Sequence, residues 1–142
     1  MTKLAIVAVA GTVALASNAA ADEKVNFEKQ ILPVLEKKCI KCHKKPYTDE
    51  RGRLKKPKSG LRMDGAKFYA KGGDIQEDED KKVLVAGKSG ESTLYTFTML
   101  PEEDDLFMPP KGDAMTADEK ALLKQWIDQG AEFGDWKGEE SE

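Results

Sequence analysis

The feature that most constrains this chain is the run Cys39-Ile40-Lys41-Cys42-His43, which contains every cysteine and histidine of its 142 residues. A closed zinc site needs four protein ligands, so cysteine and histidine alone cannot build one here. For the same reason, the chain cannot carry several C-x-x-C-H motifs or hold an iron between two of its own histidines. A four-ligand zinc site built on this run would therefore need one ligand of another residue type.

Three kinds of site are compatible with C-x-x-C-H. In the first, the two intervening residues place both sulfurs on one face of a helical turn, where each forms a thioether with a haem vinyl group while the histidine binds the iron. In the second, the thiols form a redox-active dithiol. In the third, Cys39, Cys42 and His43 bind zinc with one carboxylate. No βαβ pattern precedes the motif and no acidic ligand is singled out, so we predict one covalent haem c.

The first 21 residues are typical of a secretory signal peptide. A short basic start is followed by an apolar run over 4–15 and then by small residues that end in an A-x-A pattern. The apolar run is about 12 residues long, whereas a membrane-spanning helix needs roughly 20. We therefore predict cleavage after residue 21, a soluble domain over 22–142 and a periplasmic location. Covalent haem is attached beyond the exporting membrane, so this prediction agrees with the motif.

Apolar spacing predicts a mostly α, small single domain with long loops. Pro33 lacks a backbone N–H, so the segment over 25–41, with Asn26 as cap, should form either a kinked helix or a short turn followed by a helix that starts near Pro33. We predict two short helical segments over 61–70, with Asp64 as cap, and over 89–100. The clearest helix begins at a capping box formed by Thr116 and Glu119 and ends at Gly130. Loops are predicted over 44–60 and 101–114, and a frayed end over 137–142.

Further short motifs occur in order along almost the whole mature chain. With the C-x-x-C-H run they resemble monohaem c-type cytochromes, and more narrowly the planctomycete-type cytochrome c domain. The resemblance implies a cytochrome c-like fold around a covalently attached haem, in which the first and last helices pack together. Trp126 and Ile127 are expected to join these helices, and the alternative is that they line the haem. Lys88 and Gly90 depart from the family pattern, which commonly has an acidic residue and a proline there. The motifs are NFE at 26–28, ILPVL at 31–35, SGLRMD at 59–64, GG at 72–73, GKSGES at 87–92, LY at 94–95, MPP at 108–110 and LLKQWIDQGA at 122–131.

The resemblance also implies a methionine as second axial ligand of the iron. Met108 lies 65 residues after His43, in a proline-containing loop just before the last helix, where the family carries its axial methionine. Met99 is the alternative, and an open sixth site is another. Met63 and Met115 are predicted to be packing residues. The expected iron ligands are therefore His43 and Met108, with Cys39 and Cys42 as covalent tethers.

These residues predict a one-electron carrier and not an enzyme, since no general base, nucleophile or substrate site is discernible. The alternatives are a haem-based gas sensor with an open sixth site and a haem-free periplasmic CxxC thiol oxidoreductase. Segment 37–62 contains eleven basic residues against two acidic ones, a net charge of +9, while the rest of the mature chain carries −13. Such polarity orients approaching proteins. It favours redox partner proteins that are acidic near their own redox centre and gives no sign of a nucleic-acid ligand.

Overall fold

The computed structural model describes residues 23–74 and 81–141, and the helical prediction is confirmed over these residues. The predicted signal peptide, residues 1–21, lies outside them. No helix in 23–74 or 81–141 is long and apolar enough to cross a membrane. The elements are a continuous helix over 27–40, a two-stranded hairpin of Tyr47–Thr48 and Leu54–Lys55, 3₁₀ turns at Lys58–Gly60, Ser89–Glu91 and Phe97–Met99, and helices Ala66–Lys71, Thr93–Thr96 and Ala117–Asp128.

The N-terminal helix, residues 27–40, passes through Pro33 by changing its winding. An α-helical turn, Leu32–Leu35, is flanked by two π-helical turns, Phe27–Ile31 and Glu36–Ile40. Proline has no N–H to donate and its ring crowds the preceding turn, which accounts for the wider π turn before Pro33, and the helix continues through this position without a break. The side chain of Asn26 accepts a 2.9 Å hydrogen bond from the Lys29 amide, which confirms the predicted cap.

The C-terminal helix, Ala117–Asp128, packs against the N-terminal helix through aromatic side chains. Its predicted capping box is confirmed, since the Glu119 amide donates to the Thr116 hydroxyl and the Thr116 amide donates to the Glu119 carboxylate. Trp126 is 1% exposed, and its ring centroid lies 5.2 Å from that of Phe27. The indole N–H of Trp126 donates to the backbone carbonyl of Glu132 at 2.9 Å. Trp126 is therefore the core residue that joins the first and last helices, as predicted.

The C-terminal segment is docked and not frayed over 137–141, so that prediction was wrong. The Ala66 amide donates to the Lys137 carbonyl at 3.0 Å, and the Glu139 amide donates to the Asp64 carbonyl at 2.7 Å. Gly65 and Gly138 meet at this contact, where a Cβ on either would collide with the opposite backbone. Two glycines thus permit a backbone approach that composition alone does not reveal.

Two local predictions around Asp64 and Asp49 also need correction. Asp64 does not cap helix Ala66–Lys71, because its carboxylate instead accepts hydrogen bonds from the Lys45 amide and the Arg62 guanidinium.

The predicted loop 44–60 contains the small hairpin, whose turn is organised by the Asp49 carboxylate. This group accepts from the amides of Arg51 and Arg53 at 3.0 and 2.9 Å. Side-chain-to-backbone bonds of this kind stabilise turns that propensities do not show.

Candidate functional site

Both cysteines lie on one helical turn at the end of the N-terminal helix. Cys39 belongs to its last turn, Glu36–Ile40, and the amides of Cys42 and His43 both donate to the Cys39 carbonyl at 3.1 Å. Cys39 is half-buried, Cys42 is exposed, and no disulfide joins them. The helical turn therefore extends to His43 and presents two thiols one turn apart, as the spacing predicts.

His43 is buried beneath a backbone segment that wraps it from residue 58 to residue 63. Its Nδ1 atom lies 3.3 Å from the Leu61 carbonyl, and only 9% of the residue is exposed. The Met63 amide donates to the His43 carbonyl at 2.7 Å, and the Lys58 amide donates to the Cys42 carbonyl at 3.0 Å. When Nδ1 carries the proton and donates it to the Leu61 carbonyl, Nε2 keeps its lone pair and is the nitrogen that can bind a metal.

Burial sets the protonation states of this site. It lowers the pKa of His43, against the opposing effect of the Leu61 and Lys58 carbonyls, so the neutral imidazole that binds metals is favoured near neutral pH. Burial also raises the pKa of the Cys39 thiol to about 12, assisted by the neighbouring Cys42 thiol. An attacking thiol needs a lowered pKa, so the free Cys39 thiol is poorly suited to act as a nucleophile.

Tyr69 is a neighbour of the site that sequence reasoning missed. Its side chain is 1% exposed, and its hydroxyl donates to the Met63 carbonyl at 3.0 Å. Burial, followed by the charges of Cys39 and Asp64, raises the pKa of Tyr69 well above its ordinary value, so the phenol stays neutral. Tyr69 therefore braces the segment that covers His43. The position of Tyr69 on a short amphipathic helix indicates that its side chain is buried, but it does not show which group its hydroxyl contacts.

The four candidate methionines differ in their surroundings. Met63 and Met115 are 2% and 5% exposed within the core, which confirms them as packing residues. Met99 is 53% exposed. Met108 is half-buried between buried Phe107 and a cis-bonded proline, and its amide donates to the Phe97 carbonyl at 3.1 Å. Met108 is thus held at its backbone without being absorbed into the apolar core.

Two of the eleven basic residues counted in segment 37–62 do not belong to a basic surface. Lys38 and Arg62 are each only 7% exposed. The Lys38 ammonium donates to the backbone carbonyls of Asp113 and Ala114, and the Arg62 guanidinium pairs with Asp64. Residue type alone could not separate these buried cations from the exposed lysines around them.

In the part of the chain that the structure describes, no three His, Cys, Asp or Glu side chains converge closely enough to hold a metal ion. No family model, curated protein or solved structure matches the chain.

Proposed function

We propose that this chain is an exported monohaem c-type cytochrome that carries one electron at a time. The observation that supports the proposal most is the position of His43. It directly follows two cysteines that form no disulfide, it is buried, and its ring is oriented by the Leu61 carbonyl. Metal-binding histidines are commonly held by such a bond from their second ring nitrogen. In this proposal Cys39 and Cys42 bond the haem vinyl groups, and His43 and Met108 bind its iron. The haem, when bound, supplies the redox-active iron.

The two alternatives have weaker support. Burial raises the pKa of Cys39 to about 12, so Cys39 is unsuited to be the attacking thiolate of an oxidoreductase. A gas sensor needs an open sixth position, whereas Met108 is a thioether that is neither exposed like Met99 nor packed away like Met63. His/Met ligation raises the reduction potential of a haem. Such ligation suits an electron carrier.

Haem should remain on the chain after denaturation and acid–acetone extraction, because thioether bonds do not dissociate. The measurement is a pyridine haemochrome spectrum of protein purified from a host that matures c-type cytochromes, with one haem expected per chain. The double variant Cys39→Ala/Cys42→Ala is the matched control and should lose all haem on extraction. Haem that extracts freely from the parent protein, or a parent protein without haem, would contradict the proposal and favour the dithiol alternative.

The proposal includes a partner that is acidic near its own redox centre. Lys41 lies between the two attachment cysteines and is exposed, while Lys44 directly follows His43 and lies over the Tyr47 ring. The covalent tether would fix the haem beside these lysines, where an approaching protein meets the porphyrin edge. Positive charge there attracts an anionic partner, although the whole chain has a net charge of −3.

Reversal of these lysines should slow electron transfer to an anionic acceptor several-fold. We expect Lys41→Glu/Lys44→Glu to reduce the rate of oxidation by hexacyanoferrate(III) at low ionic strength, with the potential little changed. Salt should slow the parent protein, since exposed charges are screened beyond about 8 Å at physiological ionic strength. The control Glu102→Lys/Asp135→Lys changes two exposed acidic residues and should not lower the rate. A parent rate that is independent of salt would place docking elsewhere.

A further inference from the structure

Lys38 is a buried cation next to the first attachment cysteine. Its residue is 7% exposed, and its Nζ atom donates to the carbonyls of Asp113 at 2.9 Å and Ala114 at 3.0 Å. The Glu119 carboxylate lies 4.0 Å from the same nitrogen. An ammonium group is costly to bury unless hydrogen bonds and an opposite charge compensate it. These three partners therefore fix the position of the Lys38 ammonium group.

These partners belong to two elements other than the helix that carries Lys38. Asp113 and Ala114 lie at the end of the loop that contains Met108, just before the C-terminal helix. Glu119 lies in the first turn of that helix, where its carboxylate also accepts from the Thr116 amide at 2.8 Å. One side chain thus connects the attachment helix, the methionine loop and the start of the C-terminal helix.

The Met108 loop and the attachment helix do not pack closely together beside Lys38. A cleft of about 160 Å³ lies between them. Polar bonds from Lys38 bridge the helix to the loop beside this cleft. Within the loop, the Met108 amide donates a hydrogen bond to the Phe97 carbonyl at 3.1 Å. The cleft is lined by Lys37, Lys38 and Lys41 from the helix and by Pro109, Lys111, Gly112 and Asp113 from the loop.

We propose that Lys38 is a positioning residue that holds the Met108 loop against the attachment helix and so keeps the sixth ligand on the iron. The inference rests on the proposed function. A methionine at position 38 has nearly the same length and apolar bulk, but it cannot donate to the two carbonyls. Removing one partner of a fully buried ion pair is strongly destabilising, whereas the Glu119 side chain is 21% exposed and still accepts from the Thr116 amide. Loss of the tie should therefore loosen the loop at a moderate cost in stability.

The test compares Lys38→Met, Lys38→Arg and the exposed-neighbour control Lys37→Met, each as the haem-loaded full chain. Added imidazole displaces a weakly held axial methionine, and its binding is followed by absorption. We expect Lys38→Met to bind imidazole about 10- to 100-fold more tightly than Lys37→Met, the change that the loss of a hydrogen bond to a charged group produces. Amide hydrogen exchange over 109–114 should also accelerate in Lys38→Met. Lys38→Arg, which keeps charge and donors, should recover most of both effects.

The outcomes separate this inference from the proposed function. Equal imidazole affinity and equal exchange over 109–114 in haem-loaded Lys38→Met and Lys37→Met would overturn the inference and leave the cytochrome proposal standing. A parent protein without covalent haem would overturn both. If Lys38→Met fails to accumulate, Lys38→Leu, an apolar side chain that also cannot donate, replaces it, and parent-like imidazole binding in that variant would overturn the inference as well.

Discussion

Replacing Met108 with alanine should leave the haem attached but lower its reduction potential by on the order of 0.1 V, a fraction of the roughly 0.8 V range that axial ligands cover. The thioether favours the reduced iron, so its loss stabilises the oxidised form. The red charge-transfer band of the oxidised protein should disappear, and the reduced iron should bind carbon monoxide. Redox titration and absorption spectra of the purified variant measure all three changes.

Met99→Ala is the matched control for this ligand assignment. Met99 lies nine residues earlier and is 53% exposed, so its removal should change neither the potential nor the red band. If Met99→Ala abolishes the band and Met108→Ala does not, the assignment is wrong. Rapid carbon monoxide binding by the unmodified protein would favour a haem-based gas sensor over an electron carrier.

Trp126→Ala should destabilise the protein by about 3–5 kcal/mol, the range observed when large aromatic residues are removed from cores. The ring is 1% exposed and lies between the two terminal helices, 5.2 Å from Phe27 and 5.3 Å from Phe133 between ring centroids. Its removal leaves a cavity where the helices meet. Chemical denaturation of the haem-loaded protein measures the loss, which is a large share of the typical 5–15 kcal/mol of stability.

Two further variants show whether packing causes this loss. Trp126→Phe removes the N–H that donates to the Glu132 carbonyl but keeps an aromatic ring in the core. Because most of the packing is retained, its loss of stability should be clearly smaller than that of Trp126→Ala. Leu54→Ala removes a side chain that is 62% exposed and should change stability by less than about 0.5 kcal/mol. Equal losses for Trp126→Ala and Leu54→Ala would contradict the central place of Trp126 in the core.

Local sequence patterns were sufficient for the helices whose ends are marked by their own side chains. The Asn26 cap and the Thr116–Glu119 capping box each satisfy backbone groups within one turn, so the sequence contains both partners. The change of winding before Pro33 is likewise local, since it follows from a missing N–H, although the helix is continuous there. The motif at 39–43 likewise places its thiols through the spacing of a single turn. These features need no information about the distant chain.

That the thiols and the imidazole are adjacent follows from residue order alone, because the three residues are linked covalently within one turn. What surrounds them depends on how distant parts of the chain fold together. The Leu61 carbonyl that orients His43 belongs to a backbone group that every residue possesses, so no residue type signals it. The bonds from Lys38 to Asp113 and Ala114 span 75 and 76 residues of chain, and only the burial of its ammonium distinguishes it from the exposed Lys37. Contacts of this kind depend on which backbone groups folding brings together, and side-chain identity does not encode that choice locally.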